Sequence, residues 1–165
     1  MATPTALPTT FVSGDVLTAA NLNLLRGAFR ILQVVQGTTS TQVTSSTTTF
    51  VTTGLTATIT PQYTTSKILV IVQQNGCGKE TSNTFLYMRL YRGASSILQF
   101  ESYGAFNNNT AINYVGTMGT VYLDSPATVA ATTYTTYVNS GANTALVSVQ
   151  ANSAVSTITL LEVSA

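Results

Sequence analysis

Residues 55–60 read Leu-Thr-Ala-Thr-Ile-Thr, an unbroken alternation of apolar and hydroxyl side chains. Successive side chains of a strand point to opposite faces, so a period of two sends one set inward and the other outward. A helix would scatter the same residues around its circumference. The alternation returns in residues 84–92, where Phe85, Tyr87, Arg89 and Tyr91 share one face and Leu86, Met88, Leu90 and Arg92 the other. Strands are likewise expected at 31–37, 47–53, 67–74, 96–103, 115–123, 132–138, 145–150 and 156–163. Gly54 marks a bulge or kink between 47–53 and 55–60. Residues 67–74 are nearly continuous in their apolar part and predict a central strand covered on both faces. Asn75-Gly76-Cys77-Gly78 predicts a turn, and 40–49, rich in Thr and Ser, a polar strand or loop at the sheet edge.

Nine or ten short strands with turn residues between them predict a mainly β fold, an antiparallel β-sandwich of jelly-roll-like type. Composition agrees. Thr supplies about a fifth of the 165 residues, and Thr, Val, Ile, Tyr and Phe fit a pleated, half-buried surface. Charged residues are only 7%, against about 25% in an average chain. The chain is too rich in aliphatic and aromatic residues to be disordered.

Residues 1–32 differ from the rest. Pro4 and Pro8 among Thr and Ala predict an extended N-terminal arm. Thr18 fits an N-cap, and Leu22, Leu25, Phe29 and Leu32 are spaced as on a helix, which predicts one short helix over about 18–30. This helix either covers one end of the sandwich or packs against symmetry mates and docks the protein. Phe11, Val16, Leu17, Leu22, Leu25 and Phe29 are the candidate attachment or trimer-contact residues of this arm and helix together. The division is therefore an arm and helix at 1–32 and a β-sandwich domain at 33–165.

Catalytic chemistry finds little support. The chain has no His and a single Cys, so neither a zinc ligand set nor a Ser-His-Asp device can be assembled from it. The carboxylates are Asp15, Glu80, Glu101, Asp124 and Glu162. Glu101 and Asp124 are the best candidates for a glycosidase pair, but Asp124 opens a Ser-Pro turn, a structural role. Glu162 is expected near the end of an edge or terminal strand, where one charge discourages wrong pairing. The reading is a non-enzyme with no catalytic residues, no metal and no cofactor. A net charge of +1 without a basic patch argues against nucleic acid. The apolar run at 68–72 is too short to insert into a membrane, and residues 1–11 lack the pattern of a secretory signal. Loop residue Phe106, beside Asn107, Asn108 and Asn109, is the candidate surface-recognition element, since aromatic and amide side chains suit adaptable polar contacts.

Particular phrases add a resemblance. Thr10-Phe11-Val12-Ser13-Gly14-Asp15-Val16-Leu17-Thr18-Ala19-Ala20-Asn21-Leu22-Asn23 resembles a recurring element of tail-fibre-like and other minor virion proteins of tailed bacteriophages. Thr53-Gly54-Leu55-Thr56-Ala57-Thr58-Ile59-Thr60-Pro61, Ser66-Lys67-Ile68-Leu69-Val70, Tyr122-Leu123-Asp124-Ser125-Pro126 and Ser156-Thr157-Ile158-Thr159-Leu160 resemble a C-terminal jelly-roll-like β domain found in such phages. The resemblance implies a virion location, a homotrimer, other virion proteins of tail or capsid as partners, and a host-surface glycan or protein as a contact. It implies a tail fibre or spike component, or alternatively a capsid decoration (cement or head-fibre) protein. It brings no catalytic residues.

Overall fold

Alternation becomes strand along nearly the whole described chain. The computed structural model describes residues 31–164. Ten strands lie among the described residues: β1 (Ile31–Thr39), β2 (Val43–Ser45), β3 (Val51–Ile59), β4 (Lys67–Lys79), β5 (Leu86–Arg92), β6 (Ser95–Gly104), β7 (Asn113–Asp124), β8 (Thr132–Ser140), β9 (Val147–Val149) and β10 (Ser156–Val163). The expected arm and helix, with Phe11, Val16, Leu17, Leu22, Leu25 and Phe29, lie outside the described residues. Ile31 and Leu32, assigned above to that N-terminal part, open β1.

The pairing is nested. β1 pairs with β10, β3 with β8, β4 with β7 and β5 with β6, all antiparallel. The chain thus forms one long double ribbon, closed at the β5–β6 hairpin. Rolling the ribbon puts alternate pairs on opposite walls. One sheet runs β1-β10-β4 with β7 also on β4, and the other runs β3-β8-β5-β6. That arrangement is a jelly roll, a two-sheet antiparallel sandwich. β9 and β2 extend the first sheet, with β9 pairing Gly78 and Lys79 at the far end of β4.

Two apolar clusters fill the space between the sheets. Leu55, Ile59, Ile68, Val70, Leu90, Tyr134, Ile158 and Leu160 belong to one. Cys77, Leu86, Met88, Val138, Val147 and Val149 belong to the other. Phe100 touches both. A buried polar chain runs between them across the two sheets. The Thr136 hydroxyl donates to Gln74 Oε1 at 2.8 Å, and Gln74 Nε2 donates to Ser156 Oγ at 3.2 Å. Having given its one proton away, Thr136 accepts from the Thr53 hydroxyl at 2.5 Å. Each member of the chain is satisfied, which is the condition for a buried network to hold.

Three expectations need correction. Asn75-Gly76-Cys77-Gly78 is not a turn but continues β4 through bulges, with Gly76 at φ 62°. Gly76 has backbone of the Ala151 turn where a Cβ would stand, so the chain passes there without reversing. Residues 67–74 are central but not covered twice: Ile68, Val70 and Val72 are buried, while Lys67, Ile71 and Gln73 are exposed. Glu162 lies near the end of the terminal strand β10, as expected, but that strand is flanked by both β1 and β4, so its charge guards no edge. It is fully buried and accepts from Gln33 Nε2 at 2.5 Å and the Gln62 backbone N–H at 2.7 Å. Burial pushes its carboxyl up, but these donors outweigh burial and hold it below the usual carboxylate range. The Gly54 bulge is present, with a register break between Thr52 and Thr56 and Gly54 at φ 76°.

Candidate functional site

The outer side of the β3-β8-β5-β6 sheet carries rings and hydroxyls. Alternation along β5 turns Tyr87, Arg89 and Tyr91 outward while Leu86, Met88 and Leu90 are fully buried. On β8 the neighbours are Thr133, Thr135 and Tyr137. Tyr91 and Tyr137 stack with ring centroids 4.1 Å apart. Thr56 meets Thr135 at 3.0 Å and Thr58 meets Thr133 at 2.8 Å, hydroxyl to hydroxyl across strands.

The predicted loop joins this side at one end. Phe106 is 48% exposed and packs edge-on against Phe85 (5.9 Å) and Tyr103 (6.1 Å). Phe85 also contacts Tyr103 at 4.3 Å and Tyr87 at 5.1 Å. The loop is fastened from below. The fully buried Lys79 at the end of β4 donates its Nζ to the Asn107 carbonyl. Asn107 Oδ1 accepts from the Asn109 backbone N–H at 2.8 Å, an Asx turn. Asn113 Nδ2 closes the base on the Ala105 carbonyl at 2.9 Å. Asn108 and Asn109 are exposed at the tip.

Beside the rings lies a cavity of about 450 Å³, lined by Thr48, Phe50, Tyr87, Arg89, Gln99 and Asn139. The Arg89 guanidinium sits 4.1 Å from the Phe50 ring centroid, in cation–π range. Its Nε donates to Gln99 Oε1 at 3.0 Å. Asn139 faces this side yet is only 5% exposed. Its amide is oriented by Nδ2 donating to the Thr48 carbonyl at 2.6 Å, and its Oδ1 is buried with no hydrogen-bond partner among the described residues. The sequence placed Tyr87 and Arg89 on one face. It offered no sign that Phe50 and Asn139, from β3's approach and the end of β8, would meet them.

The outer side of the other sheet carries an aliphatic patch among Thr and Gln side chains. Register aligns Val34, Leu161, Leu69 and Leu123 in one row across β1, β10, β4 and β7. The adjacent row holds Gln36, Thr159, Ile71 and Val121. Val34 is 59% exposed, Val121 65% and Leu123 49%. Among the described residues of these four strands, Lys67 is the one ionised side chain on that side.

The weighed carboxylates are otherwise engaged. Asp124 accepts from Arg92 Nη1 at 2.9 Å through both oxygens and from the Tyr134 hydroxyl at 2.6 Å. Burial, then this hydrogen bond, pushes the Tyr134 phenol up. Glu101 Oε1 accepts the backbone N–H groups of Ser102 and Tyr103. Cys77 is fully buried, and burial pushes its thiol up to about 12. Among the described residues no three metal-ligating side chains cluster, and no helix is long and apolar enough to cross a membrane.

These walls and their nested pairing define the chain as a mainly β, jelly-roll sandwich with one aliphatic and one aromatic–hydroxyl exterior. No protein-family model matches the chain, and no curated protein matches it. Among solved structures it is similar to a chain of infectious bursal disease virus Gt strain, with TM-score 0.37, 13% identity, and coverage of 80% of this chain and 38% of that one. It is also similar to the VP2 subviral particle of infectious bursal disease virus, with TM-score 0.33, 11% identity, and coverage of 81% and 42%. The chain thus spans about two fifths of the length of each. Likeness at this distance does not define a function.

Proposed function

We propose that this chain is a non-enzymatic virion structural protein of a tailed bacteriophage, a tail fibre or spike component that assembles as a homotrimer. The observation that carries this reading is the outward aliphatic row Val34, Leu161, Leu69 and Leu123, in which Val34 and Leu123 are exposed and Leu161 and Leu69 half-buried between them. Monomeric soluble proteins rarely leave such a contiguous patch in water. The occupant is a second copy of this chain. Identical subunits that carry a net charge of only +1 approach with little repulsion, and the near-absence of ions on the patch removes their desolvation cost. The phage-like phrases of the sequence support the virion setting, with residues 1–32 as the attachment segment. The opposite, aromatic–hydroxyl wall then faces outward, toward the host.

Native mass spectrometry at micromolar concentration tests the assembly: a trimer is expected, and a stable monomer overturns it. Imaging of labelled intact virions tests the place. About a dozen copies on the tail support the fibre or spike reading, hundreds on the head shift it to a capsid decoration protein, and absence from the particle removes both.

A further inference from the structure

We propose that the cavity between Phe50, Tyr87, Arg89 and Asn139 binds an acidic sugar, a hexuronic acid unit of a surface glycan. The inference rests on the outward-facing role assigned above to the aromatic–hydroxyl wall. Three independent features converge on this chemistry.

The first is an unmatched cation. Arg92–Asp124 is the one salt bridge among the described residues, so Arg89 has no carboxylate partner there. Its Nε is held by Gln99 and its plane lies against Phe50. Both contacts fix the guanidinium while its Nη donors find no acceptor among the described residues. A planar fork held in this way matches a carboxylate bidentately.

The second is an orphaned acceptor. Asn139 Oδ1 is buried without a partner, and its amide cannot flip to relieve this, because Nδ2 is committed to the Thr48 carbonyl. A buried acceptor left unpaired is costly. Asn139 Oδ1 is closed to solvent in this structure, so a sugar hydroxyl, a donor of the kind it lacks, reaches it only when the Thr48 and Asn139 side chains part. The third is the aromatic wall. Tyr87 is steadied edge-on by Phe85 at 5.1 Å, and its ring offers a face to the C–H side of a pyranose. The cavity volume of about 450 Å³ lies within the usual range for small-ligand sites. A neutral sugar would satisfy Asn139 and Tyr87 but leave Arg89 unmatched. A simple anion would satisfy Arg89 alone.

The test is a titration of the full-length protein with galacturonate, glucuronate and mannuronate trisaccharides, followed by isothermal calorimetry and amide NMR shifts. Galactotriose serves as the neutral probe. Saturable binding of at least one acidic probe is expected, with shifts at Arg89 and Asn139. Arg89→Gln, at a partly exposed position, should keep the fold by circular dichroism and weaken binding by about tenfold or more, the loss of one charge-assisted contact. Tyr87→Ala should weaken it further, whereas Tyr87→Phe, which keeps the ring, should retain it. No saturable binding of any acidic probe overturns the proposal, as does equal binding of galactotriose or indifference to Arg89→Gln. A protein that stays trimeric and virion-borne but fails this test loses the glycan site alone. One that binds uronate but is absent from virions loses the structural role alone.

Discussion

The two outer walls of this sandwich are built from the same alternation and the same number of principal strands, yet they face the surroundings with opposite chemistry. Across β1-β10-β4-β7 the outward positions include an aliphatic group, Val34, Leu161, Leu69, Leu123, Ile71 and Val121, bordered by Lys67, Gln36, Thr159 and Gln73. Across β3-β8-β5-β6 they are Thr56, Thr58, Thr133, Thr135, Tyr137, Tyr91, Arg89 and Tyr87. An aliphatic wall gains only by leaving water. A wall of hydroxyls, rings and one unmatched guanidinium can stay wet and still contact a polar partner closely. On the proposed function, one side serves assembly and the other recognition, and Thr hydroxyls take the place on the surface that charges hold in most proteins.

The largest effect that separates the walls is on assembly. Leu69→Asp combined with Val121→Asp should convert the proposed trimer to monomer in native mass spectrometry. The pair Thr56→Asp and Thr135→Asp, on the other wall, should leave it trimeric. Equal behaviour of the two pairs would erase the distinction.

The next effect tests what joins the walls. Gln74→Leu breaks the buried chain from Thr53 through Thr136 to Ser156 and leaves the Thr136 hydroxyl proton without its acceptor, while Ser156 Oγ keeps the Asn75 backbone N–H. It should cost about 1–3 kcal/mol in urea unfolding, shared by both halves in one cooperative transition.

A third effect belongs to the underside of the aliphatic wall. The Glu162 carboxyl lies below its ordinary range in the folded protein. Its contribution is therefore complete above the unfolded pKa of about 4.3 and disappears as pH falls through the lower folded value. The melting temperature should fall as pH drops from about 5 toward 2, and Glu162→Gln should flatten part of that fall.

The smallest effect sharpens the hydroxyl wall. Thr133→Ala removes the 2.8 Å pairing with Thr58 and should cost about 0.2–1 kcal/mol, without changing the oligomer.

Much of this was legible in the residues, and the failures share one cause. Alternation located β5, β8 and β10 closely and the second half of β3, though the expected strand start at 47 lies four residues before β3 begins, and it placed Tyr87 and Arg89 on one side. It located Phe106 and Asn107–Asn109 in a loop, though not the buried Lys79 beneath it. The apolar run at 68–72 misled, because a doubly covered strand and a strand with one aliphatic outer side look alike in sequence. The Gly-rich 75–78 segment misled too, since glycines admit a bulge as readily as a turn.

By itself the sequence determined that this chain forms strands with one inward and one outward face, because a period of two is a property of the extended backbone and needs no distant partner. Only the tertiary structure decided which outward faces lie side by side. Rows such as Val34-Leu161-Leu69-Leu123, and the meeting of Phe50, Arg89 and Asn139, come from pairing strands far apart along the chain. That pairing is set by how the whole nested ribbon closes over a shared interior, and no local pattern records it.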